Sequence, residues 1–245
     1  MAEKNLNSAD LNCAFCNYNN QAFPHYERYG QDNLSRFVVA ETDNFLVKPD
    51  ILPGNSDGRH VLVHPKRHVY NHAGLVGHSD EVGRLTYDLE QKFGPLVVFE
   101  HGGLQPGNNV QSVYHAHFHA YGGLEKVDVI AWMQYMLNGG LGSDEIYPYD
   151  IIPAPDFAFI TNLSGRFNGI PYLYVEQGPW GLIVEDGEER MRSQITQRSM
   201  HLLFSGEVLD WKKIPESELL ARESVRRIRN LIDFCQHGEY NAHTF

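Results

Sequence analysis

The chain has 245 residues, 42% of them hydrophobic, and a formal net charge of −11. That length allows one large domain, or one domain with a substantial addition. The acidic balance argues against a nonspecific nucleic-acid binder, which needs a positive field to displace counterions, but not against a small anionic ligand in a locally positive pocket.

No apolar run approaches the length of a membrane span, and Met1-Ala2-Glu3-Lys4-Asn5 does not open a signal peptide. A cytoplasmic protein without a membrane partner is therefore expected. In chain order, the first 35 residues are polar and loop-like around Cys13-Ala14-Phe15-Cys16. Residues 37–41 and 44–48 read as two short strands turning at Thr42 and Asp43. Residues 50–55 carry Pro53 and Gly54 and read as a loop; residues 60–64 form a strand stopped by Pro65. Ser79 can cap a helix with Asp80 and Glu81 in its first turn and a buried stripe of Val82, Leu85, Leu89 and Phe93. A strand follows over 96–100, then a Gly/Asn/Pro-rich loop over 102–109.

Beyond Gly123 the spacing predicts a helix over 127–137, strands over 156–161, 171–176 and 181–185, and a helix over 191–204. The last helix, 216–236, follows Pro215 and carries an apolar stripe of Leu220, Val225, Ile228, Leu231, Ile232 and Cys235. The expected organisation is α+β, an antiparallel sheet packed with helices over residues 1–124. Residues 125–245 form an α/β extension packed on it rather than a free domain.

The chemistry concentrates in Gln111-Ser112-Val113-Tyr114-His115-Ala116-His117-Phe118-His119-Ala120-Tyr121-Gly122-Gly123. On an extended strand, positions two apart share a face, so His115, His117 and His119 would stand in a row. Imidazoles in a row have little value as packing and point to a metal, a phosphate or a nucleophile. Nine of the thirteen histidines fall between positions 60 and 119. His72 and His78 flank the predicted helix and read as solvated; His64 and His101 have no assigned task. The Cys13/Cys16 pair reads as metal-binding or redox-active in a reducing compartment, with Cys235 far away.

These residues resemble the histidine-triad superfamily of nucleotidyl hydrolases and transferases, whose signature is His-φ-His-φ-His-φ-φ with φ apolar. His115 to Tyr121 fits it, and the flanking Gln111-Ser112-Val113-Tyr114 and Gly122-Gly123 are similar to the nucleoside phosphoramidase branch. The stretch Gly58-Arg59-His60-Val61-Leu62-Val63-His64-Pro65-Lys66-Arg67-His68 resembles an upstream strand of the family. Phe99-Glu100-His101-Gly102 resembles a segment of longer bacterial members, and Cys13 and Cys16 stand where zinc-binding members carry their pair. The resemblance runs from residue 10 to about 123 in the family's order; Ser193-Gln194, Arg198 and Asp210-Trp211-Lys212 look only faintly like the tails of longer members.

The resemblance implies roles. His117 would attack the α-phosphorus of a nucleotide, one ring nitrogen held by a backbone carbonyl, giving a nucleotidyl-histidine intermediate. His119 would bind phosphate oxygens and His60 would line the site. Ser112 would reach the phosphate if the regular strand begins after it. Asp50 would bind both ribose hydroxyls, and Asn108 or Asn109 would offer an amide to the phosphate. Cys13, Cys16, His68 and His115 would make a closed Cys2His2 zinc site, structural by its coordination count. The implied partner is a small-molecule nucleotide, not nucleic acid; family members are often homodimers.

Transferring relatives carry Gln at the third histidine position, so His119 inclines the reading toward a hydrolase. The long C-terminal half inclines it toward a transferase or phosphorylase with a larger second substrate. Two further alternatives stand beside these: a hydrolase whose three histidines hold a catalytic zinc, and a nucleotide-binding regulator without turnover.

Overall fold

The structure, a computed structural model, describes residues 13, 15–16, 37–55, 57–70, 73, 75–102, 115–140, 146–154, 167, 170–185, 195–206 and 217–237. Eight strands form one sheet: β1 (Ala40–Glu41), β2 (Phe45–Pro49), β3 (His60–Pro65), β4 (Val97–Gly102), β5 (Phe118–Tyr121), β6 (Asp150–Pro153), β7 (Tyr172–Gln177) and β8 (Trp180–Glu185). Their order is β1-β2-β3-β5-β4-β7-β8-β6, every pairing antiparallel. Among the described residues, four α-helices pack on it: α1 (Ser79–Phe93), α2 (Val129–Leu137), α3 (Ile195–Ser205) and α4 (Glu218–His237). This is the α+β class expected from the sequence.

Alternation along the strands divides the core into two layers. One face carries Phe45, Val47, Val61, Val63, Val98, Phe118 and Ala120, packed against Val82, Leu85, Leu89 and Phe93 of α1 and Leu231 of α4. The other carries Val97, Phe99, Tyr121, Leu173, Val175, Leu182 and Val184, covered by Val129, Met133 and Leu137 of α2 and Met200 of α3. The apolar stripe of α1 is the expected one. Its cap is not: Ser79 is already helical, the boundary residue is His78, and no side chain caps it. A 3-10 turn over Val76–His78 runs straight into the helix and moves the boundary back by one residue.

The sheet does not stop where the composition changes near residue 125. Six residues of β4 pair with six of β7, from Val97↔Gln177 to Gly102↔Tyr172. Strand β6 falls in a Tyr-Pro-Tyr-Asp-Ile-Ile-Pro-Ala-Pro stretch that had no predicted strand; it lies at the sheet edge, where proline does not interrupt a ladder. The strand expected over 156–161 lies outside the described residues.

Helix α4 packs across the loop between β2 and β3. Gly58 there has φ +79, and a Cβ would stand 2.2 Å from the Arg227 carbonyl oxygen, so only glycine lets the two backbones approach. Arg227 in turn donates to the carbonyls of Pro53 (2.6 Å) and Gly54 (3.0 Å), and Ser224 Oγ donates to the Ile51 carbonyl. These polar residues sit on the buried face of α4, while Leu220, Ile232 and Cys235 of the expected stripe are only partly buried.

Candidate active site

The face that α2 and α3 cover on one side carries the histidines on the other. Register places Leu62 opposite His119 and His60 opposite Tyr121 on β3 and β5; on β4, Phe99 faces His119 and Val97 faces Tyr121. Directly opposed residues share a face. His60, Leu62, His119, Tyr121, Phe99 and Val97 therefore form one surface, with His64 and His101 continuing it along their strands.

The expected row of three histidines is divided. Regular strand begins at Phe118, and His115 turns away to Cys13, Cys16 and His68; one ligand atom from each of these four lies within 4.8 Å of all the others. Cys13 Sγ and Cys16 Sγ stand 3.3 and 3.5 Å from His115 Nδ1, and Cys16 Sγ is 3.3 Å from His68 Nδ1. Ligands at ordinary Zn–S and Zn–N lengths of a tetrahedral ion are separated by about 3.5 Å, so these spacings fit a single ion. The tautomer fits as well. His115 Nε2 is 2.8 Å from the Pro65 carbonyl, which can only accept, so Nε2 donates and Nδ1 turns its lone pair to the two sulfurs. The Cys16 amide donates to Cys13 Sγ (3.4 Å).

His117 Nδ1 lies 2.8 Å from the His115 carbonyl oxygen. Donation to that oxygen places the ring's lone pair on Nε2. A second chain of bonds orients His119. The Gly54 amide donates to His60 Nδ1 (3.0 Å), which obliges His60 Nε2 to carry its proton; that proton goes to His119 Nδ1 at 2.8 Å. His119 Nε2 is then an N–H donor beside His117, the two rings 5.2 Å apart. Phe99 stacks on His119 at 4.6 Å and Tyr121 on His60 at 3.7 Å, fixing both rings. Phe15, between the two cysteines, packs on His117 at 5.1 Å and on His64 at 4.6 Å.

Asp50 is 2% exposed, and its Oδ2 is 3.7 Å from His119 Nδ1 and 3.9 Å from His60 Nε2. Its Oδ1 accepts from the Leu52 amide (2.8 Å) and from Gln197 Nε2 (3.3 Å). Asp50, His60 and His119 could be taken for a metal site, their ligand atoms being as close as those of the cysteine group. The Gly54 N–H on His60 Nδ1 argues otherwise, because it keeps the Nε2 lone pair unavailable. With His115 among the cysteines and His119 on His60, the three histidines of the motif do not converge on one ion.

Burial governs the electrostatics. It pushes His60 and His119 well below the ordinary imidazole value, reinforced by neighbouring histidines, and takes His101 and His201 to about 4. Burial also raises Asp50 to about 7, against the Leu52 amide that lowers it. Between pH 4 and 6.5 the unfolded chain protonates His101 and His201 and the folded chain does not, so these two stabilise at neutral pH and their contribution is lost as pH falls through that window. Asp50 has the opposite sign: between about 4 and 7 the folded state holds a proton that the unfolded state releases, so its contribution falls as pH rises. Asp50→Asn is therefore expected to gain stability over the parent at pH 7.5, by up to about 4 kcal/mol, and to lose the advantage by pH 4. Urea midpoints across that range check it; parallel profiles for the two proteins would refute it.

Ser112, Asn108 and Asn109, as well as His72, lie outside the described residues. Sequence reasoning had no task for His101, whose charge couples to His117, nor for Phe15, and it passed over Gln197 and His201. The last two stand four apart in a predicted helix, a polar pair on the side that also carries Met200; that was the available signal.

No family model matches the chain, and no curated protein does. Among solved structures it is similar to yeast Ap4A phosphorylase Apa2, at 12% identity and a TM-score of 0.42 over 92% of this chain and 95% of that one. The same enzyme in complex with AMP gives 12% and 0.39 over 77% and 74%. A structure named uridylyltransferase gives 11% and 0.36 over 79% and 88%.

Proposed function

We propose that the protein is an enzyme of nucleotidyl transfer that works through a covalent nucleotidyl-histidine. The observation that carries this reading is the His117 Nδ1 contact with the His115 carbonyl at 2.8 Å, with an oriented His119 beside the ring. His117 Nε2 forms a bond to the α-phosphorus, and the leaving group departs with the electron pair of the bond it loses. His119 Nε2–H donates to a phosphate oxygen as charge builds on it. Asp50 holds the ribose hydroxyls, with Ser112 and Asn109 assigned to the phosphate on the resemblance alone. In the second step an acceptor oxygen attacks phosphorus and the N–P bond breaks, returning neutral His117. Zinc on Cys13, Cys16, His68 and His115 would supply a fixed closed centre that holds the backbone before His117.

Water as acceptor makes the protein a hydrolase, the reading to which His119 inclines; inorganic phosphate or a sugar phosphate makes it a phosphorylase or transferase. The structural likenesses bear names of the second kind, but at 12% identity and a TM-score of 0.42 they bring neither activity to this chain. A panel of nucleoside phosphoramidates, dinucleoside polyphosphates and nucleotide sugars, assayed with and without phosphate, separates the two. Turnover that phosphate leaves unchanged and that yields the nucleoside monophosphate identifies the hydrolase. Turnover that requires phosphate and yields a nucleoside diphosphate identifies the phosphorylase. A pure binding protein turns over none of them.

A further inference from the structure

Helix α3 turns an unusual face inward: its buried residues are Thr196, Gln197, Ser199, Met200 and His201. We infer that Gln197 and His201 complete the ribose end of the candidate site, Gln197 as the positioning residue for the Asp50 carboxylate and His201, together with Tyr121, as a ligand for a sugar hydroxyl. This rests on the nucleotide reading above and gives the C-terminal half a share in specificity.

The geometry supports each part. Gln197 Nε2 reaches both carboxylate oxygens, at 3.3 and 3.5 Å, and the amide is itself buried, so it holds the carboxylate in one plane. His201 follows one turn later on the same side of the helix. It is 1% exposed; the Leu52 backbone stands near enough to favour the charged ring, but among the described residues neither ring nitrogen makes a hydrogen bond of ordinary length. The fully buried Tyr121 hydroxyl is likewise without one. Both belong to the Asp50 neighbourhood: Tyr121 stacks on His60 and feels the Asp50 charge, and His60 and His119 both feel His201. Burial keeps the same imidazole uncharged, helped by the charge of Arg227, which grips the carbonyls of Pro53 and Gly54.

A buried donor or acceptor left unmatched is costly, and natural cores hold few of them. Two buried polar side chains without an ordinary hydrogen bond, beside a carboxylate held by Leu52 and Gln197, describe a recognition position rather than packing. A neutral imidazole offers one donor and one acceptor, a phenol the same, and a carboxylate only acceptors. A vicinal diol can meet all three.

The test uses adenosine and guanosine 5′-phosphoramidates and their 2′-deoxy and 3′-deoxy counterparts, with kcat, KM and the nucleotide trapped on His117 measured for each. The parent enzyme is expected to prefer ribose by about tenfold or more in kcat/KM, since a site built to bond a hydroxyl rejects the analogue without it. His201→Phe and Gln197→Ala are each expected to bring that ratio within about twofold, through KM rather than kcat. His201→Asn, which keeps a donor and an acceptor, should recover part of it. Without ligand, His201→Phe should raise the thermal midpoint by about 2–4 °C as unmatched polar atoms leave the core; a purely structural histidine would lower it. A ribose preference unchanged in His201→Phe and Gln197→Ala, or absent from the parent, overturns the inference while trapping on His117 continues. If His201→Phe does not fold, Gln197→Ala decides. Failure of the parent to trap any nucleotide overturns the nucleotide reading itself.

Discussion

His117→Ala is expected to lose about 10⁴-fold or more in turnover, roughly 5.5 kcal/mol of transition-state stabilisation, with the fold and the metal content unchanged. The ring lies before the regular strand that begins at Phe118 and is not one of the four candidate zinc ligands, so its removal leaves the ladder pairings and the cysteine cluster in place. The variant should also fail to form the covalent intermediate with a radiolabelled substrate that the parent traps on quenching. Residual trapping in His117→Ala would move the nucleophile to another residue. Equal turnover in the two proteins would end the covalent reading altogether.

His115→Ala should fail in a different way. The purified protein is expected to hold one zinc per chain, and His115→Ala and Cys13→Ser to hold none. Free metal at about 1,000 times its dissociation constant contributes about 4 kcal/mol, or roughly 8–16 °C in thermal midpoint for a chain of this size. Chelation should therefore lower the midpoint of the parent by that amount and leave the His115→Ala midpoint where it is. Acid should mimic the chelator, because the thiolates and imidazoles that hold the ion must be deprotonated. Elemental analysis and thermal melts check both statements; full zinc occupancy in His115→Ala would exclude that ligand set. Turnover falls in these variants too, but through position. Phe15 is carried between the two cysteines and packs on His117 and His115, so loosening the cysteines releases a wall of the nucleophile.

What the sequence revealed follows from what repeats locally. The α1 stripe of Val82, Leu85, Leu89 and Phe93 is a periodic signal, and helix and buried face came out together. Strands β3, β4, β7 and β8 are short apolar runs bounded by turns, and they lie within a residue or two of their expected places. Strand β6 was hidden because its prolines read as breakers, and only an edge position makes them harmless. In the site, spacing alone gave the three motif histidines a common direction, which the late start of β5 removed for His115. The polar residues of α3 and α4 were invisible for another reason. Gln197, His201, Ser224 and Arg227 are buried against residues 50–55, more than 140 positions earlier, and an amphipathic pattern read on one helix counts such residues as solvated.

The β4–β7 pairing has a consequence for how the chain can be divided. Strand β4 pairs along one side with β5 over Val97 to Phe99, and along the other, over its whole length, with β7, which begins seventy residues later. A fragment ending near residue 124 would present that second side as a bare, apolar strand edge, the kind of surface on which chains add to one another. During synthesis the same edge stays open until β7 has left the ribosome. The two halves are then one folding unit, and the protein is exposed to self-association for as long as the second half is missing.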